Sequence, residues 1–145
     1  MKKIIIAIDS FKGCLTSAEA GKAAEKGIKS INPFCHTSVI PIADGGEGLL
    51  DVLITATKGK YITLSAHGPL MKMAKTHYGL SGNGRTAIIE MAAISGLPLV
   101  PIEQRNPMLT TTFGTGELIK DALNKGCRNF IIGIGGSATN DAGLG

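Results

Sequence analysis

The chain has 145 residues, room for one ordinary domain that buries roughly 70% of its unfolded surface. Hydrophobic residues make up 43% and charged residues 18%, which excludes a disordered chain, and no apolar run approaches the length of a membrane span. The 15 basic and 11 acidic residues leave a net charge of +4, but the charges are scattered and aromatics reach only 4%, so small anions are the expected partners and nucleic acid is not.

The start, Met1-Lys2-Lys3 and then Ile4 to Ile8, imitates a leader peptide, but Asp9 ends the apolar run too early for one, and a cytoplasmic location is expected. The run instead reads as a buried strand of the kind parallel sheets use. Thr16-Ser17-Ala18-Glu19 is a capping box. Ala20, Ala23, Ala24, Gly27, Ile28 and Ile31 follow at helical spacing until Asn32-Pro33 stops the helix. Ser38 to Ile42 is a second strand and Glu47 to Thr57 a second helix, with Leu49, Leu50, Leu53 and Ile54 inward. Tyr61 to Ala66 and Lys72 to Leu80 alternate like strands with one wet face, which suggests a hairpin. Gly82-Asn83-Gly84 is a turn, and Thr86 to Met91 a further strand. Leu118, Ile119, Ala122 and Leu123 form a helix face capped by Gly126, and Arg128 to Ile134 is the last strand. Strand–helix alternation at both ends predicts an α/β fold, and the composition shift near residues 66–72 suggests a domain boundary. Cys14, Cys35 and Cys127 show no C-x-x-C spacing, so reduced thiols are expected rather than a disulfide framework or a zinc site.

Four loops carry chemistry. Asp9-Ser10-Phe11-Lys12-Gly13 follows the first strand, where α/β sheets bind ligands; it suits a metal–phosphate or a carboxylate, or is an ordinary charged turn. Asp44-Gly45-Gly46-Glu47-Gly48 sets two carboxylates among glycines. They make sense around a cation, most simply Mg²⁺, or else cap the helix that follows. Thr110-Thr111-Thr112-Phe113-Gly114-Thr115-Gly116 offers hydroxyls and glycines to an anion at a helix start, or supplies an N-cap from Thr112 or Thr115. Gly133-Ile134-Gly135-Gly136-Ser137-Ala138 follows a strand and precedes small polar residues able to start a helix, the arrangement that cradles phosphate. It also fits G-x-G-x-x-G/A, the dinucleotide fingerprint in its weak form, since the given sequence ends before the position of the acidic residue that the pattern also needs. Asn140 and Asp141 add an amide and a carboxylate. Asp141 suits a metal ligand, a base for a substrate hydroxyl, or a helix cap.

In order and spacing these motifs resemble the bacterial glycerate kinases of the D-S-F-K-G class. The matching pieces are Asp9 to Gly13, Ala43 to Gly48, Gly68-Pro69, Glu90 to Ala92 with Ser95 to Leu97, Arg105 to Pro107, Thr111 to Ile119, and Gly133 to Asp141. The resemblance spans the whole chain. It implies an ATP-dependent kinase that phosphorylates a hydroxyl of D-glycerate with Mg²⁺. It also implies a discontinuous Rossmann-like domain, opened here by residues 1–70, and an inserted second α/β domain begun by residues 71–145. Family members are more than twice as long, so the chain is expected to be an inactive, poorly cooperative fragment.

On that resemblance the active site would lie in a cleft. Gly135, Gly136 and Ser137 would cradle phosphate or the glycerate carboxylate, and Lys12 would neutralise anionic charge. Asp44 and Glu47 would hold Mg²⁺, and Asp141 or Asp9 would take the hydroxyl proton. Thr112, Thr115 and Gly116 would complete an anion pocket, with Ser10, Gly45, Gly46, Gly114 and Asn140 also binding. Two other classes stay open: a non-catalytic anion-binding module, and an NAD-linked oxidoreductase.

Overall fold

The computed structural model describes residues 3–145, so Met1 and Lys2 of the leader-like start lie outside it. Contacts cluster into two compact units, one ending at Asp44 and the other running from Gly45 to Gly145. Both are built of strands and helices, the α/β class expected from the sequence.

The first unit is a β-α-β element. Strand β1 (Lys3–Ile6) pairs in parallel with β2 (His36–Val39), in register from Lys3↔His36 to Ile6↔Val39. Helix α1 (Ser17–Ile31) joins them and starts as predicted. The Thr16 hydroxyl accepts the Glu19 N–H at 3.2 Å, and the Glu19 carboxylate accepts the Thr16 N–H at 2.8 Å. Both strands end earlier than the apolar runs suggest. The reason is local: the Ser17 hydroxyl donates to the Ile8 carbonyl at 2.6 Å and accepts the Ile42 N–H at 3.0 Å, so these groups leave the ladder. The expectation of a fully buried first strand is also corrected. Only Ile6 is buried in β1, while Ile4 and Ile5 are exposed. One helix cannot cover both faces of a two-stranded sheet.

The second unit holds a four-stranded sheet of order β3-β4-β5-β6. Strands β3 (Lys60–His67) and β4 (Met73–Leu80) form an antiparallel hairpin in register from Lys60↔Leu80 to His67↔Met73, and residues 68–72 are its turn. Strand β5 (Thr86–Glu90) lies antiparallel to β4 and parallel to β6 (Asn129–Gly133). Helices α2 (Leu49–Thr57) and α4 (Phe113–Asn124) are the long ones. A short α3 (Ala92–Ser95) and two 3₁₀ turns, Leu97–Leu99 and Ile102–Gln104, lie between β5 and α4.

Alternation along β5 decides the layering. Ala87 and Ile89 pack with Tyr78, Ile94, Leu118, Ala122 and Cys127 on one face, and Ile88 packs with Leu50 and Ile54 of α2 on the other. That two-sided cover explains why Ala87, Ile88 and Ile89 form a continuous apolar run rather than an alternating one. Truncating a wholly buried residue such as Ile88 costs about 2–5 kcal/mol. The edge strand β6 is less covered, with Ile131 and Ile132 exposed. Among the described residues no helix is long and apolar enough to cross a membrane.

Candidate functional site

In the first unit the loops that follow parallel strands β1 and β2 leave the same end of the sheet, the end where α/β proteins bind ligands. Asp9 accepts the Ser10 N–H through Oδ1 at 2.7 Å, and its Oδ2 has no partner among the described residues. The Ser10 hydroxyl oxygen is buried and makes no hydrogen bond among the described residues, a costly state that a ligand would relieve. Lys12 Nζ stands 3.8 Å from Asp44 Oδ2, with side chains 69% and 59% exposed. Such a surface pair holds its partners only loosely, so both charges stay accessible.

In the second unit β5 and β6 run parallel with Glu90 opposite Gly133, which sets their following segments side by side. The Gly135 N–H donates to the Gly45 carbonyl at 3.0 Å. A Cβ on Gly135 would lie 2.7 Å from the Gly46 Cα, so only glycine permits this approach. The two glycine-rich segments therefore interlock. Glu47 is exposed and precedes the N-cap, Gly48, which offers no side chain to α2. Glu47 makes no hydrogen bond to the start of this helix among the described residues. Glu90 does, its Oε2 accepting the Leu50 N–H at 3.3 Å. Burial pushes the Glu90 carboxyl upward, against the pull of the Leu50 and Gly48 N–H groups, and the charges of Asp51 and Glu47 push the same way.

The closing loop departs from the phosphate-cradle expectation. No helix follows Gly136; residues 134–145 form turns and one isolated bridge, Gly96↔Ser137. Its backbone donors are partly turned inward: Ala138 N–H to the Ser95 carbonyl at 2.9 Å and Thr139 N–H to the Ser137 hydroxyl at 3.1 Å, besides Gly135. Within residues 134–145 these donors are therefore spent on the loop's own fold.

Asp141 reaches back to the start of α4. Its carboxylate accepts the Thr112 N–H at 2.7 Å, the Thr112 hydroxyl at 2.9 Å, the Thr111 hydroxyl at 3.3 Å and the Gly143 N–H at 3.1 Å. Burial would raise its pKa, but these bonds outweigh burial and hold it below the usual carboxylate range. Thr112 occupies the N-cap position without capping through its own side chain. Thr115 is buried and shares a 2.8 Å hydrogen bond with Ser95. Gly114 is buried, and a Cβ there would fall 1.8 Å from the His67 carbonyl oxygen. Gly116 faces open space, and Asn140 is exposed with Nδ2 3.8 Å from the Met108 sulfur. Gly114, Thr112 and Thr115 thus build the loop, while Gly116 and Asn140 remain open to solvent. Sequence reasoning counted Glu90 within a motif of the family resemblance but gave it no role; a carboxylate closing an otherwise apolar strand was a further signal.

An α/β protein whose strand-following loops gather glycines, hydroxyls and carboxylates belongs to the broad class that binds small molecules beyond its strand ends. The glycerate kinase family model matches residues 4–145, and the chain belongs to that family. It is 56% identical over 143 residues to a glycerate kinase of Haemophilus influenzae, covering 99% of this chain and 38% of that one. It is 54% identical to a glycerate kinase of Bacillus subtilis, covering 99% of this chain and 37% of that one. A crystal structure described as a glycerate kinase 2 of Salmonella typhimurium LT2 superposes with a TM-score of 0.83 at 49% identity, over 99% of this chain and 38% of that chain. The chain therefore spans somewhat more than a third of the length of these relatives.

Proposed function

We propose that the protein acts as an ATP-dependent glycerate kinase, transferring the γ-phosphoryl group of ATP to a hydroxyl of D-glycerate in the cytoplasm. The observation that carries this reading is the family match from residue 4 to residue 145, which takes in every loop described above. Phosphoryl transfer asks a protein for positioning and charge neutralisation rather than covalent chemistry. Lys12, exposed and loosely held, would meet anionic oxygens. Asp44 and Glu47 would hold Mg²⁺ directly or through water. Their hard oxygen donors suit that ion, which commonly takes one or two carboxylates and completes its shell with phosphate oxygens and water. Bound there, Mg²⁺ would offset phosphate charge. Of the two aspartates weighed as proton acceptor, Asp9 is favoured, because one of its oxygens is uncommitted while Asp141 is engaged by four donors and made less basic. In the second unit Gly45, Gly46, Gly135 and Gly136 would shape a floor for substrate, and in the first unit the Ser10 hydroxyl would offer a polar contact of its own.

The test is ADP release by the full-length protein. Release should depend on both D-glycerate and Mg²⁺, and Asp9→Asn should lower kcat/KM by about 100-fold or more. No glycerate-dependent release by the wild type would overturn the function, and unchanged kinetics in Asp9→Asn would overturn the assignment of the base.

A further inference from the structure

A pocket of about 250 Å³ opens in the second unit beside the Leu97–Leu99 turn, between the Arg105–Pro107 segment and the Ser137–Thr139 loop. Val100 and Ala138 give it an apolar floor, and Arg105, Asn106, Ser137 and Thr139 line its polar side. Each polar group is oriented by internal bonds that leave a donor over. Arg105 Nε donates to the Val100 carbonyl at 3.2 Å, which fixes the plane of the guanidinium. Its two terminal nitrogens have no hydrogen bond or ion pair among the described residues. Asn106 Oδ1 accepts the Met108 N–H at 3.0 Å, so Nδ2 is the end left to donate. Ser137 and Thr139 share one 2.8 Å hydrogen bond between two hydroxyls, leaving one O–H proton available. The Ala138 carbonyl is already engaged by the Thr110 hydroxyl at 2.7 Å.

The result is a small recess with one fixed cation, surplus donors and no carboxylate in its lining. A guanidinium meets a planar oxyanion through two parallel hydrogen bonds. The volume lies below the 300–1,000 Å³ usual for drug-sized ligands, so the body attached to that oxyanion is short. A single arginine balances one negative charge, which suits a carboxylate and under-neutralises a polyphosphate. We infer that this pocket binds the carboxylate of a short hydroxy acid, held by the Arg105 guanidinium and the Ser137–Thr139 hydroxyl pair. That the acid is D-glycerate rests on the kinase reading above; that it is a short hydroxy acid does not.

The experiment compares the full-length wild type with Arg105→Gln and Arg105→Lys, by steady-state kinetics and by calorimetric titration with D-glycerate, glycolate, lactate and inorganic phosphate. Arg105→Gln should raise the D-glycerate KM and Kd by about 30-fold while the ATP KM stays within about twofold. Arg105→Lys, which keeps the charge and loses the fork, should recover part of the loss. Should Arg105→Gln lose the wild-type melting profile, Arg105→Lys alone carries the test and should still weaken glycerate by at least about threefold. Unchanged glycerate affinity in the folded variants overturns the site. So does a rise in ATP KM alone, or phosphate binding more tightly than every hydroxy acid. If the wild type fails to phosphorylate D-glycerate, the kinase reading falls, yet hydroxy-acid binding lost in Arg105→Gln upholds the pocket. Absence of wild-type binding to all three acids overturns it.

Discussion

The polar groups of the Asp9–Lys12 loop and those of the Thr111–Thr115 segment look alike in the sequence and behave differently in the fold. Lys12 and its partner Asp44 are mostly in solvent, 3.8 Å apart. Thr112 and Thr115 are each only 5% exposed and bonded to Asp141 and Ser95. Polar residues beside a helix start are therefore of two kinds. Some remain available to a ligand at little structural cost, and others are consumed in fixing the backbone that ligands meet. Mutation separates the two, because the second kind answers in stability and the first in activity alone.

The largest effect should come from Gly114→Ala. The added carbon meets a backbone carbonyl at 1.8 Å, and neither partner can rotate away. The helix-propensity gain of about 1 kcal/mol is smaller than the overpacking cost, so a net loss of about 2 kcal/mol or more is expected in urea unfolding of the full-length protein. Asp141→Ala comes next, at about 2 kcal/mol near neutral pH, since it strips the charge-assisted acceptor from the start of α4. Because the folded-state pKa of Asp141 is lowered, its contribution is complete above the ordinary aspartate value and disappears as pH falls through the depressed one. Wild type and variant should converge in acid; a gap that stays constant down to pH 2 would sink the capping role.

Glu90→Gln should go the other way. Its folded-state pKa is raised, so the stability it contributes is present at low pH and lost as pH rises through that value. Glutamine still accepts the Leu50 N–H without a buried charge. The variant should unfold at a higher urea midpoint at pH 7, with the gain fading as pH approaches the ordinary glutamate range. A lower midpoint at pH 7 would mean that the negative charge itself steadies α2. The smallest effect belongs to Lys12→Ala, whose unfolding free energy should stay within about 0.5 kcal/mol of wild type while turnover drops. A large stability loss there would erase the contrast between the two regions.

Much of this fold is written locally. The Thr16–Glu19 capping box, the alternation across the β3–β4 hairpin and the apolar run of β5 each depend on neighbours within a few residues, and each formed where the pattern placed it. What escaped a local reading is what distant residues decide. The last loop has the composition of a helix start, but Ser95 and Thr112, far back in the chain, claim its Ala138 N–H and its Asp141 carboxylate. The start of α2, for which Asp44 and Glu47 were weighed as caps, is held by Glu90, some 40 residues away. Which polar groups the loops carry was legible in the residues they contain. Which of those groups stay open to a ligand was not, because that depends on partners no spacing rule names.

Ser17 carries a consequence of this sort. Its single hydroxyl touches the backbone just beyond β1 and just beyond β2. The segments bearing Lys12 and Asp44 thus share one anchor on the first residue of α1, and a shift of that helix start would carry both with it. The spacing of the two opposite charges is inherited from a neutral side chain that touches neither, much as two doors hung on one post keep their alignment only while the post stands.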